Sequence, residues 1–65
     1  MKVYVYLYSN GNKKEHKNLI KNKTILKEAN GADRVSIYKC NEYEVEKIIY
    51  NNILAGQYIT TLLLN

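Results

Sequence analysis

Residues 2–8, Lys-Val-Tyr-Val-Tyr-Leu-Tyr, alternate without a break. Side chains in a strand alternate between its two faces, so Val3, Val5 and Leu7 share one side and Tyr4, Tyr6 and Tyr8 the other. No helical period fits this stretch, and its β-branched and aromatic residues suit a pleated surface. The chain must therefore begin with a strand that has an aliphatic face for a core and a tyrosine face of undetermined use.

Length limits what can be built around that strand. Sixty-five residues make a single domain, 1–65. A chain of this size buries only about 60% of its unfolded surface, which leaves little margin unless a partner adds to the core. Cys40 is the only cysteine, so no internal disulfide assists. A lone cysteine in a chain that opens on a strand, with no targeting segment, fits a reducing cytoplasm. The most apolar run, Tyr58 to Leu64, is far shorter than the roughly 20 residues that span a bilayer.

The Asn10-Gly11 pair ends the first strand with a strong turn signal. The chain can then return as an edge strand through Lys13 to Lys17, or enter a helix with Asn12 as N-cap and Glu15 at the capping-box position. The preferred reading is a helix from about Lys13 to Ala29. It gathers Leu19, Ile25, Leu26 and Ala29 on one side and a ridge of Lys13, Lys17 and Lys21 on the other, with Lys14 beside it. Two features fit it poorly: Ile20 lands among the lysines, and Lys13 and Lys14 oppose the helix dipole. Asn30-Gly31 would end the helix.

Arg34 to Cys40 reads as a second strand, with Val35 and Ile37 on one face and Arg34, Ser36, Tyr38 and Cys40 on the other. Asn41 to about Ala55 reads as a second helix. Its Asn41–Glu44 spacing and acidic first turn favour a helix N-terminus, and Gly56 stops it. Val45, Ile48, Ile49 and Ile53 form one stripe; Tyr43, Tyr50 and Leu54 form a second. Gln57 to Leu64 is rich in β-formers, but three consecutive leucines break its alternation. That predicts burial on both faces or a contact beyond the monomer.

The expected fold is therefore α/β: a two-layer β-α-β-α-β domain with a largely parallel three-stranded sheet and two helices on one face. The alternative is α+β, with an antiparallel hairpin and one packed helix, the second. In the first layout Val5, Leu7, Ile37, Ile48 and Ile49 would be buried together, and the tyrosine face would stay open.

Chemistry is sparse. His16 is the only histidine, in a lysine-rich segment, and is expected to be solvated. Glu42, Glu44 and Glu46 suit a helix N-terminus without any metal. No metal-ligand spacing of Cys and His occurs, and Gly11, Gly31 and Gly56 are isolated, not a phosphate-cradling loop. No enzyme, cofactor or small-molecule substrate is expected. The formal charge of +4 rests on lysines, with Arg34 the only arginine. That permits nucleic-acid binding without requiring it, and it argues against an acidic DNA mimic.

No family motif stands out. The wealth of Lys, Asn, Ile and Tyr implies an A/T-rich gene, as is common in phages and other mobile elements. The expected function is a small cytoplasmic, non-enzymatic protein-binding module. Inhibition of a host protein, such as a defence nuclease in the manner of anti-CRISPR proteins, would fit it. Its contact residues would be Tyr4, Tyr6, Tyr8, Tyr38, Tyr43, Tyr50 and Leu54, against a protein partner or a second copy in a homodimer. The alternative is weak nucleic-acid binding, with the tyrosine face stacking on bases and Lys13, Lys14, Lys17, Lys21 and Arg34 meeting phosphates. A structural homo-oligomer is the further alternative.

Overall fold

The computed structural model describes residues 1–49, 52–53 and 56–64, with the backbone alone at 49, 52 and 53. It is an α+β domain built on a four-stranded antiparallel sheet in the order β2-β1-β3-β6. The strands are β1 (Lys2–Tyr8), β2 (Lys13–His16), β3 (Arg34–Asn41) and β6 (Gln57–Leu63). One α-helix, α1 (Asn22–Ala29), lies between β2 and β3 in the chain. A 3-10 helix, Glu42–Lys47, leads into a two-stranded pair, β4 (Ile48–Ile49) and β5 (Asn52–Ile53).

The expected helix over Lys13 to Ala29 is corrected to a strand followed by a shorter helix. The Asn10-Gly11 turn folds β2 back on β1 as a hairpin. The Gly11 amide donates to Tyr8 O at 2.9 Å, and the Tyr8 amide to Asn12 O at 2.8 Å. Gly11 sits at φ +95°, the left-handed position that closes such a three-residue loop. Lys13 and Lys14, unfavourable at a helix N-terminus, are tolerated on an edge strand. The helix then starts after Lys21, with no side-chain cap, and ends at Asn30 in the left-handed conformation, φ 47°.

The expected helix over Asn41 to Ala55 is also corrected. Only Glu42–Lys47 are helical, in the tighter 3-10 form, and Ile48–Ile49 and Asn52–Ile53 pair as strands. β-Branched isoleucines carry a helix poorly and a strand well. The Asn41 side chain donates to Glu44 Oε1 at 3.3 Å and does not cap the backbone. Positions 50, 51, 54 and 55 lie outside the described residues, so the Tyr43-Tyr50-Leu54 stripe is seen only at Tyr43.

Antiparallel register decides the core. Tyr6 stands opposite Ile37 and Tyr8 opposite Val35, while Val5 stands opposite Tyr38 and Val3 opposite Cys40. Paired residues share a face, so each face of the sheet mixes tyrosine with aliphatic side chains. On one side, Tyr6, Tyr8, Val35 and Ile37 pack with Ile25 and Ala29 of α1 and with Ala32. On the other, Val3, Val5, Leu7, Tyr38 and Cys40 pack with Ile48 and Val45. The expected common core of Val5, Leu7, Ile37, Ile48 and Ile49 is thus divided. Ile37 lies in one cluster and Val5, Leu7 and Ile48 in the other, while the Ile49 side chain is outside the description.

Candidate functional site

The tyrosine row is not an open face. Tyr6 and Tyr8 are 1% and 0% exposed beneath α1, and Tyr4 is half-buried beside the same cluster. The Lys39 ammonium lies 5.3 Å from the centre of the Tyr4 ring. Tyr38 is buried on the opposite face, where its ring meets Tyr58 edge-on at 5.6 Å. Tyr43, at 86% exposure, stands apart on the 3-10 helix. These four strand tyrosines are therefore packing residues of the domain itself, and Tyr50 and Leu54 are not among the described residues.

The buried tyrosines solve a polar problem with help from β2 and α1. Tyr6 OH accepts from the Ile20 amide at 3.0 Å and so fixes the approach to α1. Tyr8 OH donates to Glu28 Oε1 at 3.2 Å. His16 Nε2 lies 3.0 Å from each oxygen of the same carboxylate, and its ring meets Tyr6 edge-on at 5.5 Å. The histidine expected in solvent is instead a pin between β2 and α1. Burial, then the negative Glu28, hold the Tyr8 phenol well above its ordinary pKa.

Nor do the lysines form one ridge. Lys13 turns inward, where its Nζ donates to Val45 O at 3.2 Å and Ile48 O at 3.1 Å. Lys14 and Lys17 are exposed on and after β2, and Lys21 is exposed just before α1. Arg34, on β3, has its Nε 3.5 Å from Asp33 Oδ1. Tyr6, Tyr8 and Tyr38 are buried, and Lys13, Lys17 and Lys21 do not share one helix.

Among the described residues no group of three or more His, Cys, Asp or Glu stands close enough to hold a metal. A pocket of about 400 Å³ is lined by Lys2, Lys39, Cys40, Glu44, Gly56 and Gln57. Its cysteine is 1% exposed, and burial pushes the thiol pKa up, away from the nucleophilic thiolate. No helix among the described residues is long and apolar enough to cross a membrane.

What the fold leaves open is the outer edge of β6. Among the described residues, β3 is the only strand that pairs with it. Far from being buried on both faces, β6 exposes Tyr58, Ile59 and Leu63, the last at 78%. The Leu64 amide donates inward to Asp33 O at 2.9 Å, and Arg34 O, next to Leu63 in the register, is turned away to the Ser9 amide. Backbone groups alternate in direction along an antiparallel strand, so Thr61 and Leu63 turn their N–H and C=O outward. Ser36 Oγ, Thr61 Oγ1 and Tyr58 OH form a chain of hydrogen bonds, at 3.0 and 2.8 Å, that stiffens one face of the strand. On the other face, a groove of about 270 Å³ runs between Asn22, Ile25 and Leu26 of α1 and Leu62, Leu63 and Leu64.

Charge separates the two edges of the sheet. Residues 48–65 contain no Lys, Arg, Asp, Glu or His; every ionisable side chain except those of tyrosines lies in 1–47. The β2 edge is four residues long and reads Lys-Lys-Glu-His. Short charged edges resist strand addition, whereas a seven-residue uncharged edge rich in β-formers invites it. The run of β-formers was visible in the sequence; that it would form an edge was not. No protein-family model, curated protein or solved structure matches this chain.

Proposed function

We propose that this chain is a non-enzymatic protein-binding module whose binding element is the outer edge of β6. The observation that carries this reading is the uncharged edge strand with outward backbone groups at Thr61 and Leu63. Backbone hydrogen bonds supply affinity in strand addition, and side chains on alternate faces supply specificity. Here those side chains are Tyr58, Thr61 and Leu63 on one face and Leu62, beside the α1 groove, on the other. A buried lone thiol suits a reducing compartment, and the cytoplasm is part of the reading. The narrower form, an inhibitor of a host protein such as a defence nuclease, rests on the A/T-rich character of the gene.

The test is affinity capture from cells that encode the protein, with and without nuclease treatment. Capture should survive nuclease and a Lys14→Gln, Lys17→Gln, Lys21→Gln triple variant. It should be lost in Leu63→Pro, which removes an outward donor and leaves the ladder to β3 intact. Capture that depends on nucleic acid, or that ignores Leu63→Pro, would refute this reading.

A further inference from the structure

The partner that fits this edge can be argued from the edge itself. We infer that the strand that adds to β6 is β6 of a second copy, joining two four-stranded sheets into one continuous sheet about a two-fold axis. This rests on the strand-addition reading and names its partner.

Symmetry is the first argument. A strand that pairs antiparallel with its own copy obeys a two-fold axis, and each copy offers the outward groups that the other requires. Thr61 and Leu63 present both a donor and an acceptor, so no other chemistry has to be supplied.

Charge is the second. The chain carries +4, so two copies repel wherever their lysines face each other. At β6 they meet without any like charges opposed, because 48–65 hold no cationic or anionic side chain. A partner recognised by opposite charge would find its attraction at the lysines of 13–27, none of which lies on β6.

Closure is the third. Addition of β6 to the β2 edge of another copy would run on into a filament, but the charged, short β2 opposes it. Pairing of β6 with β6 uses up both open edges at once. A two-fold axis normal to the sheet also keeps each face on its own side. Both α1 helices then stand on the same face, and the two grooves holding Leu26 and Leu62 flank one seam.

Sedimentation equilibrium from micromolar to millimolar concentration tests this on the full chain. The wild type should form a dimer that added salt does not weaken, since no ion pairs cross the seam and salt only screens the repulsion between two +4 copies. Leu63→Lys and Leu63→Pro should be monomeric with wild-type circular dichroism, and Leu63→Thr, an uncharged β-former, should remain dimeric. In wild-type protein, amide exchange at Thr61 and Leu63 should slow as concentration rises into the dimer range. That readout needs no variant to fold. A monomer at millimolar concentration would overturn the inference. So would a dimer that persists in both Leu63→Lys and Leu63→Pro, or amides at 61 and 63 that exchange at the same rate in monomer and dimer. A monomer that still captures a protein through β6 would sink the second copy alone. A monomer that captures nothing would sink the strand-addition reading as well.

Discussion

Tyr8 is fully enclosed, and its hydroxyl finds its acceptor on Glu28, twenty residues away in sequence. Tyr8→Phe keeps the ring and removes the bond, so it should cost about 1 kcal/mol, read as a melting temperature lower by about 4–8 °C in a domain of this size. The same residue contributes to the alkaline limit. An unfolded tyrosine ionises near pH 10, whereas burial and Glu28 keep the folded phenol protonated above that. The folded state therefore holds its stability below pH 10 and loses it as pH rises further. In Tyr8→Phe the fall of melting temperature above pH 10 should be shallower than in wild type. At the acid end the equivalent residue is Asp33. The Ser9 hydroxyl donates to its Oδ1 at 2.7 Å and holds its pKa below the ordinary carboxylate value, with Arg34 adding to the effect. A lowered folded pKa gives stability that is present above the unfolded pKa of 3.8 and lost as pH falls through the folded one. Melting curves of Ser9→Ala against pH should show a flatter acid limb. An unchanged slope would mean that this hydrogen bond does not set the Asp33 titration.

At the scale of elements, Gly56 at the turn into β6 is the most closely packed of the three glycines. Gly56 has φ +87°, and a Cβ there would sit 3.0 Å from Cys40 Cβ, 3.0 Å from Lys39 O and 3.1 Å from Ile48 Cδ1. Two of those neighbours are backbone or near-backbone atoms that cannot swing aside. Gly56→Ala therefore combines left-handed strain with overpacking, and should destabilise by about 2–4 kcal/mol. Gly11→Ala carries the strain alone, because nothing lies within 4 Å of its Cβ position, and should cost about 1–2 kcal/mol. Urea unfolding of both variants checks the difference. Equal losses would show that the space around Gly56 relaxes. The helix end is held by another element: the Asn10 side chain donates to Ala29 O at 2.9 Å, tying the hairpin loop to the C-terminus of α1. Loop and helix thus stabilise each other, and the Ala32 amide donates to the same Ala29 O at 3.0 Å.

For the whole molecule, the sheet is a wall between two separate clusters. Ile25, 3% exposed, belongs to the α1 side, and Ile48, 0% exposed, to the side of the 3-10 helix. Ile25→Val and Ile48→Val should each cost about 0.5–1.5 kcal/mol. Because they share no cluster, the double variant should cost the sum within about 0.5 kcal/mol. A larger deviation in denaturant unfolding would show that strain passes through the sheet from one cluster to the other. Two small cores in place of one large one also explain why so much apolar surface remains on β6. Leu62 and Leu64 pack against the α1 cluster, while Tyr58, Ile59 and Leu63 stay exposed.

Local pattern alone determined β1, β3 and β6 and the turn at Asn10-Gly11. Alternation in β1 and β3, and a run of β-formers in β6, need only neighbours in the chain to be legible. The segment 13–29 was ambiguous locally, because lysines, asparagines and isolated aliphatics satisfy a hairpin or a helix equally. What resolved it was β1, whose free edge takes up Lys13–His16, and the buried Tyr6 and Tyr8, which require α1 above them. Segment 41–55 carried helix-start signals, but Ile48 is placed by its cluster with Val3, Val5, Leu7, Tyr38 and Cys40. The largest revision came from register. Opposing Tyr6 to Ile37 and Val5 to Tyr38 turns the tyrosine face inward. Pairing across strands far apart in sequence is a property of the closed sheet, and no periodicity within one strand encodes it. The edge at β6 is the same kind of fact. Its lack of charge is written in the sequence, but only strand order decides that it lies outermost, where backbone groups at Thr61 and Leu63 face away from β3, its one partner among the described strands.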